Sequence, residues 1–315
     1  MKLSQLRHLV EAVESGTIRE ASRRLFLSQS SVTKSIRQLE LELGVELLHR
    51  DAHGVTPTAA GRALVQRAKR IEAEIRYALN EIDEIQGAHT GDLQLVVSPS
   101  VALTLLPRVI SGFTRSRPRV TFHVDEGVYP DILRSVRAGD ADFAICLLPE
   151  PLRDDYLEYE LLFKDAVTPA VRRGHPLAGK HTTMQVLARE TWVAYLSGRT
   201  SQAVFEKTFS LAGKDLPEKI IECTSFASCL ALVEQGDYVT LVPRQLLAEP
   251  ETSGNLVAVE IDSRLPNWSV AVIYRRQTEL SPVAHAFLDA LRDGGRQLVQ
   301  ESKRPAARKT RRKKP

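Results

Sequence analysis

Along the first part of the chain, apolar residues recur at the three-and-four spacing that one face of a helix requires, with polar residues between them. Leu6, Leu9, Val10 and Val13 give a first helix one apolar face, and Gly16 is placed to end it. Thr17-Ile18-Arg19-Glu20 has the form of a capping box, so a second helix starts at about Ile18 with Ile18, Ala21 and Leu25 turned inward. Ser28 is the next capping residue, and Val32, Ile36, Leu39 and Leu43 mark out the inner face of a third helix after a short turn. Thr56-Pro57 reads as a cap followed by proline at the first position of a fourth helix. In that helix Leu64, Ala68, Ile71, Ile75, Ala78, Ile82 and Ile85 step by four and three, a heptad seam of about three repeats. Such a stripe either pairs with a second copy of the chain or packs on the chain's own C-terminal domain.

Gly87-Ala-His-Thr-Gly91 breaks the helical period, and the pattern then changes. Strand-like runs at 93–97, 120–124 and 143–147 alternate with helix-like segments at 101–115 and 130–138, and strand-like runs at 192–196, 219–223 and 238–242 repeat the theme. This alternation predicts parallel α/β architecture in two halves. The chain is expected to cross between halves near 163–169 and to return near 266–271, with a strand at 269–274 and a final helix from Pro282 to about Val299. Two crossings make a hinge possible. Ligands of open α/β sheets bind at the carboxyl ends of strands, and three hydroxyl-rich turns fall there: Ser98-Pro99-Ser100, Ser197-Gly198-Arg199-Thr200-Ser201 and Thr224-Ser225. Each is either a simple helix cap or part of a binding site.

The outer face of the third helix is unusually well supplied with hydrogen-bonding groups. Ser28, Gln29, Ser30, Ser31, Thr33, Lys34, Arg37 and Gln38 place hydroxyl, amide and cationic side chains at its start and away from its apolar face. That is either a solvated surface or the reading face of a helix-turn-helix, whose short supporting helix and tight turn are both in place. The pattern Ala21-x3-Leu25-x2-Ser28-Gln29-x2-Val32-x3-Ile36-x2-Leu39-Glu40-x3-Gly44-x2-Leu47-Leu48-x-Arg50, followed by Gly54-x-Thr56-x2-Ala59-x-Gly61, resembles the winged helix-turn-helix of LysR-type transcriptional regulators over about sixty residues without a gap. Ser22 stands where the family commonly has a second alanine, and His49 where it often has an aromatic residue.

The resemblance implies a winged helix-turn-helix DNA-binding domain over 1–58, a linker dimerisation helix over 59–88 and an effector domain over 89–301. The effector domain would be α/β and periplasmic-binding-protein-like, with subdomain I at about 91–162 and 268–301 and subdomain II at about 163–267. It implies a recognition helix at about 28–43 whose Gln29, Ser30, Thr33 and Lys34 meet the major groove, and a wing at about 47–57 whose Arg50 and His53 reach the backbone or minor groove. It also implies a small co-inducer between the subdomains, with Ser98, Ser100, Val101, Thr200, Ser201, Ser225 and Phe226 as its candidate contacts and Leu148 and Pro149 as walls. The hydroxyls and helix N-termini, with Arg199 beside them, lean the choice of effector towards an organic anion such as a carboxylate. The partners expected are double-stranded DNA, the effector, a second copy of the chain in a homodimer or homotetramer, and RNA polymerase.

Charge and chemistry narrow this further. The net charge of +4 is unevenly placed: residues 302–315 hold eight Lys/Arg and no acid, so the remainder is net acidic. That tail is disordered by composition and is either simply solvated or attracted to DNA phosphates without regard to sequence, as in an architectural protein. Cys146, Cys223 and Cys229 have no metal-ligand spacing and suit reduced thiols in a cytoplasm. Arg7, Glu11 and Glu14 interrupt any signal-peptide core, and the least polar stretch, 93–107, is shorter than the roughly 20 residues a bilayer needs, so no membrane partner is expected. Ser31-Val32-Thr33-Lys34 matches S-x-x-K, but no S-D-N or K-T-G accompanies it, and no metal, P-loop, dinucleotide or nucleophile-elbow motif is present. No metal, cofactor or catalytic residue is therefore assigned, although a triad assembled in space would escape such a search.

Overall fold

The computed structural model describes residues 1–51, 53–87, 90–148, 151–248, 253–263, 265–276 and 280–302; Pro149 and the basic run from 303 onward lie outside them. Two compact units are present, one comprising Met1–Leu79 with Ala138–Asp140, the other Asn80–Arg137 and the residues from Ala141 onward.

In the first unit, α1 (Leu3–Ser15) ends at Gly16, whose φ of 70° is the left-handed turn that glycine adopts without strain. α2 (Ile18–Arg24) starts where Thr17 Oγ1 accepts the Glu20 amide at 3.1 Å, while the Glu20 carboxylate pairs with Arg23 and Arg24 instead of closing the box. α3 (Gln29–Leu43) is capped by Ser28 and stopped by Gly44. Leu9, Ala21, Val32, Ile36 and Leu39 are fully buried together, each large side chain contributing about 2 kcal/mol by removal from water. Leu43 is 42% exposed and lies past the core that its spacing predicts it to join. Ser22 is buried with its hydroxyl donating to the Arg19 carbonyl at 2.8 Å, so the polar substitution there is satisfied within its own helix.

A hairpin of β1 (Leu48–Asp51) and β2 (Gly54–Pro57) forms the wing. It packs close: a Cβ on Gly54 would stand 2.2 Å from the Gly16 carbonyl oxygen, to which the Val55 amide donates at 2.8 Å. α4 (Ala59–Ile85) then begins after Thr58, whose Oγ1 accepts the Gly61 amide at 3.0 Å. The cap is thus later than Thr56-Pro57 suggests, because Pro57 is held in β2 opposite Leu48. Gly61 in the first turn of α4 has no room for a side chain, since a Cβ would lie 2.0 Å from the Leu47 carbonyl oxygen.

The second unit runs β3 (Thr90–Val97), α5 (Pro99–Leu103), α6 (Leu105–Ser116), β4 (Arg119–Glu126), α7 (Ile132–Ala138), β5 (Phe143–Leu148) and the long β6 (Leu157–Arg172). β7 (His181–Thr182), α8 (Met184–Leu187), β8 (Thr191–Tyr195), α9 (Gly198–Leu211), β9 (Ile220–Cys223), α10 (Phe226–Gln235) and β10 (Tyr238–Pro243) follow, and a 3-10 turn spans Arg244–Leu247. β11 (Leu256–Ala258), β12 (Glu260–Ile261), β13 (Asn267–Arg275) and α11 (Pro282–Ser302) complete it.

Nine strands form one sheet, eight of them on the hydrogen-bonded path β4-β3-β5-β13-β6-β10-β8-β9 and β11 paired with β6 off that path. β4, β3 and β5 are parallel, as are β10, β8 and β9, but β13 and β6 run antiparallel to their neighbours, so the expected parallel sheet is a mixed one. The two antiparallel strands are the crossings. β6 pairs with β13 as far as Ala166 and with β10 from Val167 on, so a single strand serves both lobes and changes partner at its middle. Period-two alternation sorts side chains between the faces: Leu93, Leu95 and Val97 join the core under α6 and α11, while Val96 joins the one under α7. The second lobe closes around Trp192, Phe205 and Phe209, with Trp192 and Phe209 edge-on at 5.0 Å.

Candidate functional site

With Val32, Ile36 and Leu39 buried, helical geometry turns the polar face of α3 outward. Gln29, Ser30, Lys34, Arg37 and Gln38 are exposed and Thr33 is half-buried. Ser28 and Ser31 are exposed too, but their hydroxyls lie 2.8 Å apart and Ser28 Oγ accepts the Ser31 amide at 3.1 Å, so both first serve the start of the helix. The wing is tied to this helix by Glu40. Its Oε1 accepts the Leu47 and Leu48 amides at 2.9 and 3.2 Å, and its Oε2 takes Arg50 at 3.1 Å. Arg50 thereby keeps four of its five donor hydrogens for other partners and is held in place by the remaining one. His53 is exposed at the hairpin end, where Asp51 Oδ1 accepts the amides of His53 and Gly54. Glu40 is the positioning residue that the residue pattern contains without revealing, since only the fold brings it to the strand.

The heptad seam divides in two. Leu64 and Ala68 pack into the helix-turn-helix core, with Ala68 fully buried, because the first turns of α4 lie on that core. Ile71, Ile75, Ala78, Ile82 and Ile85 are exposed, Ile82 by 49% and Ile85 by 80%.

In the second unit the strand ends converge on a cavity of about 100 Å³. Ser98 and Ser100 follow β3, Cys146 and Leu147 end β5, Ala194 and Tyr195 end β8, and Leu241 and Pro243 end β10. Thr200, Ser201, Val204 and Phe205 face it from α9 and Phe226 from α10, and Val128 and Tyr129 close it from the turn after β4. A wider mouth of about 480 Å³ adjoins it and adds Glu126, Asp131, Thr224 and Ser225.

Of the expected effector contacts, Ser98, Ser100, Thr200, Ser201 and Phe226 line the cavity. Val101 does not: the α5 helical turn directs it into the first lobe's core, where it is 1% exposed. Leu148 is 3% exposed beneath α7, because strand alternation gives the cavity Leu147 instead. Ser225 caps α10, accepting the Ser228 amide at 3.3 Å, and stands at the mouth. Pro149 lies outside the described residues. Arg199 is exposed and belongs to neither lining.

The hydroxyls have prior engagements. Thr200 donates to the Tyr129 carbonyl at 2.9 Å, a bond across the cleft from second lobe to first, and Ser201 donates to the Ser197 carbonyl at 2.8 Å. Burial pushes the Cys146 thiol up to about 12, so it is an inert wall of the cavity at neutral pH. Tyr129, Tyr195, Val204, Phe205 and Leu241 are the wall residues that the sequence conceals, since apolar residues near strand ends look like any other core.

Residues 3–62 match the family described as bacterial regulatory helix-turn-helix protein, lysR family, and residues 86–296 match the LysR substrate binding domain. The HTH-type transcriptional regulator GbpR of Azospirillum brasilense is 28% identical over 294 residues, 93% of this chain and 86% of that protein. The transcriptional dual regulator GltC of Bacillus subtilis (strain 168) is 30% identical over 299 residues, 92% of this chain and 96% of that one. Full-length CbnR complexed with its target DNA shares the fold with a TM-score of 0.66 at 22% identity, over 93% of this chain and 100% of that one. With a helix-turn-helix that leaves its polar face outward, a two-lobed domain following it in the chain, and both halves matched to one family, the chain belongs to the LysR-type transcriptional regulators.

Proposed function

We propose that α3 reads an operator in the major groove, with Gln29, Ser30, Thr33 and Lys34 at base edges and Arg37, Gln38, Arg50 and His53 on the sugar-phosphate backbone. The observation that carries this is the outward polar face of α3, held rigid by the buried Val32, Ile36 and Leu39 behind it. The exposed stripe Ile71, Ile75, Ala78, Ile82 and Ile85 supports pairing with a second copy through α4, which would present two recognition helices to paired half-sites. A homotetramer would double that arrangement, and RNA polymerase is the partner through which a bound regulator acts. The basic run from 303 onward would add affinity for phosphates that falls with salt. Among the described residues no helix is long and apolar enough to cross a membrane, which supports action in the cytoplasm.

In the second unit the cavity holds a small effector. A ligand that binds one closure angle of the lobes better than another shifts their population, and the Thr200 to Tyr129 bond across the cleft is one contact that such a shift would break or keep. A nuclease-protection footprint on DNA upstream of the protein's own gene, at about 0.15 M salt with random competitor DNA, tests the operator role. Paired protected half-sites are expected; salt-sensitive binding to all DNA with no protected site would overturn it. Ile75→Asp with Ile82→Asp should reduce the assembly state in sedimentation and abolish the paired footprint.

A further inference from the structure

We propose that this cavity takes an uncharged, mainly apolar molecule of about one ring carrying a hydroxyl group, a proposal that rests on the cavity being the effector site. No Asp, Glu, Lys, Arg or His stands among the described residues that line it. An organic anion would therefore leave water without a counter-charge, and ions buried unpaired bind poorly. Of the features that suggest an anion in the sequence, the hydroxyls and helix N-termini do meet at the cavity, but Arg199, the one charged residue among them, is exposed and outside the lining.

The hydroxyls point the same way. Those of Thr200 and Ser201 have already given their protons to carbonyl oxygens, so towards the cavity they offer lone pairs. Ser98 and Ser100, their Oγ atoms 3.5 Å apart, retain a proton to give. α9 starts at Gly198 without a side-chain cap, leaving first-turn amides that donate to one oxygen of a ligand. A ligand hydroxyl satisfies both kinds of group because it donates and accepts, whereas a carboxylate only accepts. The mouth adds a further bias: Glu126 lines it with no cation among the described residues of the same lining and so repels an entering anion, whereas Asp131 there is paired with Arg134. Tyr129, Tyr195, Phe205 and Phe226 supply flat apolar walls suited to a ring.

The test uses the full-length protein and three probes that share one ring and differ in head group: benzyl alcohol, benzylamine and benzoate, titrated by calorimetry at neutral pH. Benzyl alcohol is expected to bind at least tenfold more tightly than benzoate and at least threefold more tightly than benzylamine. Benzoate equal to or tighter than the alcohol overturns the charge assignment and leaves the cavity as the effector site. Benzylamine tighter than the alcohol likewise overturns the uncharged class, and no binding of any probe at 10 mM, on the order of a weak fragment's Kd, overturns the one-ring class. Val204→Trp fills the cavity and should abolish alcohol binding while the DNA footprint persists. Should that variant fail to fold, Ser98→Ala with Ser100→Ala should weaken the alcohol at least threefold. Alcohol binding that survives a folded filling variant, or the serine pair, places the molecule elsewhere, and the effector-site reading falls with it.

Discussion

The helix-turn-helix unit carries its chemistry on the outside of a core assembled from neighbours in sequence: Leu9, Ala21, Val32, Ile36, Leu39 and Val55 all lie within sixty residues. The second unit carries its chemistry in a space left between elements that the chain visits far apart, from Ser98 on β3's end to Pro243 on β10's. In the first case Gln29, Ser30, Lys34 and Arg37 point away from the core, so for them stability and activity are separable, while Ser28 also caps α3 and Arg50 also pairs with Glu40. In the second the groups that face the ligand also pack the lobes: Phe205 meets Trp192 edge-on and Thr200 bonds across the cleft. Altering a wall there alters the fold's balance as well as its guest.

That contrast can be broken by mutation. The largest effect is expected from Phe209→Ala, which empties a fully buried ring position beside Trp192 and should cost about 3 to 5 kcal/mol in denaturant unfolding. Gln29→Ala should cost about 1 to 3 kcal/mol of operator affinity and relax base choice, while leaving unfolding within about 0.5 kcal/mol of the parent. Arg50→Ala should weaken cognate and random DNA evenly in titrations by mobility shift. Equal losses for both variants on both DNAs would contradict the division between base and backbone contacts.

A smaller effect concerns the crossing itself. Burial pushes the Asp165 carboxyl up to about 6, against the opposing pull of the amides of Ala166, Gln245 and Arg244. The folded chain then holds a proton that the unfolded chain has lost between about pH 4 and 6, so this residue's contribution to stability falls as pH rises through that window. Asp165→Asn should flatten that part of the pH-stability curve, worth about 2 kcal/mol, as read by thermal unfolding from pH 4 to 7. The smallest effect is Thr17→Ala, which removes the cap of α2 and should cost about 1 kcal/mol without changing base choice.

The same contrast explains what could be read from residues alone. The boundaries of α1, α2 and α3 follow from Gly16, Thr17, Ser28 and Gly44 because caps act within one helical turn of themselves. The start of α4 was displaced from Pro57 to Ala59, and its cap from Thr56 to Thr58, because β2 claims that proline, a pairing between residues whose link is the hairpin and not the local pattern. Leu64 and Ala68 share the period of Ile71 to Ile85, yet they face a core instead of solvent, since periodicity marks a stripe without saying what covers each part.

The runs that became β3, β4, β5, β8, β9, β10 and β13 were legible as runs, but β6, where only a crossing near 163–169 was expected, is a strand of 16 residues, and both it and β13 are antiparallel to their neighbours because they carry the chain between lobes. Local chemistry, acting over three or four residues, sufficed for helix ends, the outward face of α3 and the three hydroxyl turns. The choice of Leu147 over Leu148, the use of Thr200's proton on Tyr129, the link from Glu40 to the wing and the lack of charged side chains among the described residues that line the cavity itself all depend on which distant segments meet. A hydrogen bond or a void is a property of two surfaces, and each surface knows only its own half until the chain has folded.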